Sequence, residues 1–532
     1  MGTLWFGGKI RTLQHKKDIK EAVFVQDGII KGVGEKSDLE NQFKNSILEY
    51  KDLNDAVMYP GFVDSHLHML GHGEKLLRLD LSHVESIDQL KAVLKKASTN
   101  LSQNDWLIGE GFNENLYPDQ RIPDRLLLDE VTTEHPIVLT RVCRHALVTN
   151  SFGLQLANVD AETLNPSGGV IVKDSFGVPT GYLLDQAQEL VKGILPKHDY
   201  SYLMRALKTS LHDLWRHGFV GGHTEDLNYY GDPVSTLQTF YDVIDGEKVK
   251  FRADLLIHHE VAPEIIVENN KCKNNPFINL NSIKIFADGA LGGRTALLKE
   301  PYWDDPSTNG VAIHSYETLL KIVENARKLN MPVAIHVIGD LALEYALDAL
   351  EKFPVQSGKR DRLIHLQVTS VELIKRLKRL PVVLDIQPRF VASDFPWVEE
   401  RLGKERTKHS FAWKTLTDAG LICAGGSDAP IEPIDPMLGL HAAVTRRKPK
   451  ENHEGYNPSE KLSLFQALRL FTEGSAMAIC KERERGLIKE GYCADFTILD
   501  KDLFELSPDE WLNVNVVMTV VDNTVMFKRN SK

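Results

Sequence analysis

Two imidazoles one residue apart, His66-Leu67-His68, are the first residues in this chain with an obvious chemistry. In an extended strand alternate side chains share a face, so Phe62, Asp64, His66 and His68 point one way and Val63, Ser65 and Leu67 the other. Neutral imidazole is a common metal ligand, and two on one face can hold a single ion. With 19 His in 532 residues, a His-x-His pair arises by chance about once in a chain of this make-up, so its meaning rests on its company. That company is Lys284 in Ser-Ile-Lys-Ile-Phe-Ala-Asp-Gly, His336 in Ala-Ile-His, His365 in Leu-Ile-His and Asp428 in Gly-Ser-Asp-Ala-Pro. An ammonium in an apolar strand such as that of Lys284 is expensive to bury unpaired, and burial frees the amine by lowering its pKa. The structural alternative is a Lys284 paired with a carboxylate such as Asp288.

These residues need elements that converge. Apolar β-like runs at 58–66, 219–224, 251–257, 283–287, 332–337, 362–366, 382–387 and 421–427 alternate with amphipathic stretches at 201–217, 318–329, 342–353 and 371–380. Eight such strands predict an α/β chain with a (β/α)8 TIM barrel, whose chemistry sits at the C-terminal ends of the strands. The ligand candidates fall there. Some 150 residues separate the first two strands, too long for a barrel connection, and they contain strand-like pieces at 106–109, 136–141 and 169–172. They predict an inserted α/β element at about 72–198, near the barrel mouth. Residues 1–57 read as short strands, with a hairpin at Asp27-Gly28, and a similar texture returns at 486–532, with a hairpin at Asp522-Asn523. Neither end alone has enough strands to bury a face, so both are expected to form one small β-sandwich around a barrel domain at 58–485.

Composition is that of an ordinary globular protein, with 42% hydrophobic and 26% charged residues. The net charge is −11 and no basic block is present, which argues against nucleic acid or an anionic membrane as partner. No stretch has the pattern of a signal peptide or the length of a membrane span. Five scattered Cys, odd in number and without Cys-x-x-Cys, indicate neither a disulfide framework nor a thiolate zinc site. The expectation is a cytoplasmic protein acting on a small molecule, with a homodimer as the base expectation for its assembly.

The motifs His66-Leu67-His68 after Pro60-Gly61-Phe62, Lys284-Ile285-Phe286-Ala287-Asp288-Gly289, Ala334-Ile335-His336, Leu363-Ile364-His365 and Gly426-Ser427-Asp428-Ala429-Pro430 resemble the amidohydrolase superfamily. More narrowly they resemble the branch that includes N-substituted formamide deformylases. Gln387-Pro388, Asp435-Pro436 and Gly491-Tyr492-Cys493-Ala494-Asp495-Phe496 extend the likeness over nearly the whole chain. The resemblance implies a barrel with a β-sandwich and a carbamylated Lys284 bridging two divalent metal ions, commonly zinc. His66, His68, Lys284 and Asp428 would hold one ion, and Lys284, His336 and His365 the other. It further implies hydrolysis of a non-peptide C–N bond, in an amide, N-formyl compound or cyclic amide, by a metal-bridging hydroxide, with Asp428 moving the proton. The chain departs from the pattern at Ile364, where the family usually has an acidic residue, and at Cys143-Arg144-His145, where it often has Asp-Gly-His.

Two other readings compete. One is a mononuclear deaminase on the same scaffold, against which stand Lys284 and the Gly339 found where such enzymes carry Glu. The other is a catalytically silent barrel acting as a binding subunit, which has no use for so many convergent ligands. Four further residues are substrate-binding candidates: Arg294, whose planar fork suits a carboxylate, His145 in the insertion, His223 at the end of the second strand, and Gln387. Glu225 is left without a role.

Overall fold

Asp27 and Gly28 take φ of 52° and 73°, and Asp522 and Asn523 take 51° and 58°, the paired positive φ of tight hairpins whose twist matches that of the flanking strands. These turns join Ala22–Gln26 to Ile29–Gly34 and Val516–Val521 to Thr524–Lys528. The computed structural model describes residues 2–99, 101, 105–141, 146–166, 168–195, 199–272, 274–395 and 397–530.

Among the described residues, one four-stranded sheet is wholly N-terminal, and a six-stranded sheet interleaves Lys9–Arg11, Ile19–Lys20 and Val57–Pro60 with Phe496–Leu499 and the C-terminal hairpin. Trp5, Ile10, Val23, Met58, Phe496, Ile498 and Val520 share one core, so the sandwich is built from both termini. The Trp5 and Phe496 rings meet edge to face at 6.1 Å. One element differs from expectation: 35–43 is not all turn and strand but holds the helix Lys36–Gln42, which covers the apolar side of the N-terminal sheet through Leu39.

The barrel strands are β1 (Phe62–Leu67), β2 (Phe219–Thr224), β3 (Arg252–His258), β4 (Ile278–Phe286), β5 (Val333–Val337), β6 (Asp361–His365), β7 (Val382–Ile386) and β8 (Ile422–Gly425). They lie in sequence order, each parallel to the next, a TIM barrel. The run read as one strand over 58–66 is in fact two. Val57–Pro60 pairs with Phe496–Leu499 in the sandwich, and β1 starts only after Gly61, where a Cβ would stand 2.5 Å from Val220. The Gly61 N–H donates to the Asp495 carbonyl and that of Phe62 to Thr497 Oγ1, so the chain steps from one layer to the other in a single residue. Helices Tyr316–Lys328 and Val371–Leu377 begin at Ser315 and Ser370, whose hydroxyls accept from the N–H groups of Thr318 and Leu373, as capping residues do.

Gly73–Thr209 is a second compact unit. Its six-stranded mixed sheet runs in the order Gly169–Lys173, Pro179–Asp185, Ala146–Thr149, Ile137–Arg141, Leu107–Phe112, Leu79–Asp80, over a core that includes Leu90, Leu94, Phe112 and Leu139. It is the α/β insertion. Among the described residues, no helix is long and apolar enough to cross a membrane.

If the termini share one core, Phe496→Ala should destabilise the folded chain by about 3–5 kcal/mol, as for truncation of a buried aromatic. The urea midpoint read by tryptophan fluorescence checks this; a loss below about 1 kcal/mol would show that the two ends do not depend on each other.

Candidate metal centre

The C-terminal ends of the barrel strands bring six candidate ligands together. His66 lies near the end of β1 and His68 just after it, and their Nε2 atoms stand 3.6 and 3.5 Å from Asp428 Oδ1. These three offer ligand atoms all within 4.8 Å of one another. Lys284 reaches in from β4, with Nζ 3.4 Å from His66 Nε2. His365, which closes β6, has its ring 5.6 Å from that of His66 and 4.5 Å from that of His336 on β5.

The backbone bends sharply to achieve this. His365, Leu366 and Asp428 have φ of 81°, 43° and 60°, a region that L side chains rarely adopt. Surrounding hydrogen bonds hold the conformation: Leu366 N–H to Val337 O at 2.9 Å, Asp428 N–H to His66 O at 2.8 Å, and His68 N–H to Ala429 O at 2.8 Å. The unusual torsion at His365 lets Ile364 pack inside the barrel with Leu256 and Ala334 while its neighbour still joins the cluster.

The imidazoles are also oriented from behind. His68 Nδ1 donates to the Glu225 carbonyl at 2.7 Å, His365 Nδ1 to Gln387 Oε1 at 2.7 Å, and His336 Nε2 to the Gly289 carbonyl at 3.1 Å. The bonds at His365 and His336 fix the tautomer and leave the other nitrogen with a free lone pair, and the one at His68 orients its ring. Among the described residues, His66 Nδ1 is buried without a partner. Lys284 is 1% exposed, and among the described residues its amine has no hydrogen-bonded carboxylate; burial lowers its pKa, with Glu225 and Asp428 pulling the other way. Burial likewise keeps His66, His336 and His365 uncharged, the last with a pKa lowered to about 4. Burial also disfavours a charged His68, but Asp428 outweighs it and raises the pKa to about 9. Asp428 resists burial through the same pair and stays below the usual carboxylate range. A positive charge is thus favoured beside Asp428, and uncharged nitrogen donors surround it. This donor set fits divalent metal ions, which take neutral imidazole and ionised carboxylate.

Two of the substrate-binding candidates, Arg294 and His223, are engaged away from the cluster. Arg294 directs its fork at Asp304, with Nη2 2.7 Å from Oδ2. His223 is 1% exposed; it bonds to the Ser65 carbonyl and faces a cavity among Gly61, Val63, Val220, Arg252, Ser475 and Arg485, residues that include the starts of β1 and β2. Gln387 is buried and acts on His365, its Nε2 donating to the Asp385 carbonyl. His145, with Cys143 and Arg144, lies outside the described residues. The alternative pairing of Lys284 with Asp288 is not found: Asp288 accepts from the N–H groups of Leu297, Ile338 and Gly339, and burial raises its pKa to about 7.

Sequence reasoning gave no role to Asp64 or Tyr229 and a different one to Asp288. Asp64 accepts from the His66 and Ser427 N–H groups, tying the first ligand strand to the loop that carries Asp428; its place two residues before His66, on the same face, was the available signal. Asp288 stands four residues after Lys284 and anchors the exit of β5. Tyr229, 46% exposed, donates its hydroxyl to Glu225 Oε2 at 2.5 Å, with its ring 6.1 Å from His68.

Residues 49–527 match the family model described as the amidohydrolase family. YtcJ of Bacillus subtilis (strain 168) is 49% identical over 534 residues, covering 100% of both chains. An N-substituted formamide deformylase of Arthrobacter pascens is 25% identical over 542 residues, covering 98% of this chain and 97% of its own. A crystal structure of an uncharacterized metal-dependent hydrolase from Pyrococcus furiosus superposes with a TM-score of 0.78 at 27% identity, covering 96% of this chain and 100% of that one.

The anchoring role of Asp288 predicts that Asp288→Ala, which strands three buried N–H groups, costs at least about 3 kcal/mol. Arg294→Ala, which removes an exposed ion pair, should leave the midpoint within error. Equal denaturation midpoints for the two variants would contradict the assignment.

Proposed function

The chain belongs to the amidohydrolase family, and on that premise we propose that it hydrolyses a non-peptide C–N bond, in an amide, N-formyl compound or cyclic amide. The observation that carries this reading is the convergence of His66 and His68 Nε2 on Asp428 Oδ1 beside a buried Lys284 amine. His66, His68 and Asp428 would hold one divalent ion, His336 and His365 a second, and Lys284, as its carbamate, both. Burial supports the modification, because a free amine, not an ammonium, adds to carbon dioxide. Two zinc ions so held would supply an acidified water and a polarised substrate carbonyl.

The chain's own residues then divide the work. Asp428, kept ionised by His68, turns Oδ1 to the imidazoles; its Oδ2 takes the proton from the attacking water and delivers it to the leaving nitrogen, so one carboxylate serves as base and then as acid. Glu225, Gln387 and Gly289 hold the imidazoles of His68, His365 and His336 in one tautomer through the hydrogen bonds described above. Tyr229 places its ring beside His68 at the edge of the site.

Incubating zinc-loaded protein with a panel of N-formyl amines, acyl amides and cyclic amides, and measuring primary amine and carboxylate released, tests the reading. The expected result is turnover that a chelator abolishes and zinc restores. Ammonia release from amino-substituted heterocycles, with no amide cleaved, would favour the deaminase instead. Asp428→Asn should lower the hydrolytic rate by at least about 100-fold. Gln387→Ala, by freeing the His365 ring, should weaken metal affinity about 10- to 100-fold in a competition titration with a chromophoric chelator; unchanged affinity would remove Gln387 from the site.

A further inference from the structure

A row of rings leads away from the metal centre along one side of the barrel mouth. From His336 the ring centroids step 5.3 Å to Phe286, 6.0 Å to His258, 4.7 Å to His259 and 5.0 Å to His314, all within the range over which aromatic pairs attract. Phe286 and His258 close β4 and β3. His314 comes from a segment laid back against the exit of β4, where Ala312 bridges Asp288 and the Ile313 N–H donates to Ala287 O at 3.0 Å. The inner end lies at the reacting centre, since Phe286 also sits 4.5 Å beneath Lys284 Nζ. The outer end is part-exposed and flanked by Val311 and Ile313, 47% and 51% exposed.

Two features distinguish this row from ordinary filler. Burial lowers the pKa of His314, so the outermost ring is uncharged at neutral pH, and His258 and His259 stack with an interplanar angle of 27°. Asn228 steadies His258 from the side, Nδ2 to Nδ1 at 3.2 Å. Yet among the described residues neither His259 nor His314 spends a ring nitrogen on a protein hydrogen bond. Flat ring faces, those of Phe286, His259 and His314 partly exposed, attract another flat, uncharged face through stacking and loss of water.

We propose that Phe286, His258, His259 and His314 form the subsite for the substituent on the scissile amide, and that it takes a planar, uncharged aromatic ring. This rests on the hydrolase reading for its reaction but not for its binding. The test compares benzamide with cyclohexanecarboxamide, one amide on a flat and on a puckered ring, by calorimetry, with metal content counted in the same zinc-treated samples. Wild type should bind benzamide at least about fivefold tighter. His314→Ala should lose roughly 3- to 10-fold in benzamide affinity, and His314→Phe, which keeps a ring, should retain the preference. Equal binding of the two amides, binding of neither, or indistinguishable His314→Ala and His314→Phe variants would overturn the subsite. Failure of the metal centre would show separately, as absent ions in samples that still report the ring preference.

Discussion

The site depends on how the barrel closes between its first and last strands. Among the described residues no ladder joins β8 to β1; the seam is made past the end of β8, where Asp428 N–H donates to His66 O and His68 N–H to Ala429 O. Asp64 adds both its carboxylate oxygens, each 3.1 Å from the Ser427 N–H. The approach is so close that a Cβ on Gly426 would stand 2.6 Å from the His66 nitrogen. One set of hydrogen bonds therefore closes the barrel and sets the distance between two imidazoles and the carboxylate that faces them. Below the seam the fully buried Arg362 bonds to Asp385 Oδ2 at 2.7 Å and to Ser65 O at 2.6 Å, linking β1, β6 and β7 through the interior. Such a pair is costly to desolvate and worth little net stability, but it fixes three strands to one another under the cluster.

The second half of the cluster is held by a different device. Asp288 gathers backbone N–H groups from the loops after β4 and β5, and Gly289 next to it orients His336. The long segment after β4 is pinned further out by Asp304, which lies between Arg294 and Arg401. Arg294 thus serves the loop that carries His314. Side chains that approach the reacting centre and side chains that set the loops are interleaved along one stretch of chain, so residue type alone does not separate them.

Much of the architecture was legible in the sequence because it follows from local rules. Asp-Gly and Asp-Asn turns, capped helices and apolar strands that end in His or Asp are each readable within a dozen residues. Six candidate ligands were found because every one stands at or near a strand end. What was not legible depends on tertiary pairing. The break at Gly61 exists because Val57–Pro60 is taken by a strand some 440 residues later in the chain, which no local pattern announces. His223 has the look of a strand-end ligand, yet its ring faces the cavity beside the starts of β1 and β2. Gln387 reads as a substrate contact and turns out to hold His365, since a buried imidazole needs an acceptor for its second nitrogen.

We propose that Lys284, as its carbamate, bridges two metal ions. Plasma mass spectrometry on wild type and Lys284→Ala, purified without chelator and in bicarbonate, tests it most directly. About two ions per chain in wild type, falling in the variant, is the predicted result. About one ion, unchanged in the variant, would contradict the account, making Lys284 a structural residue and the centre mononuclear.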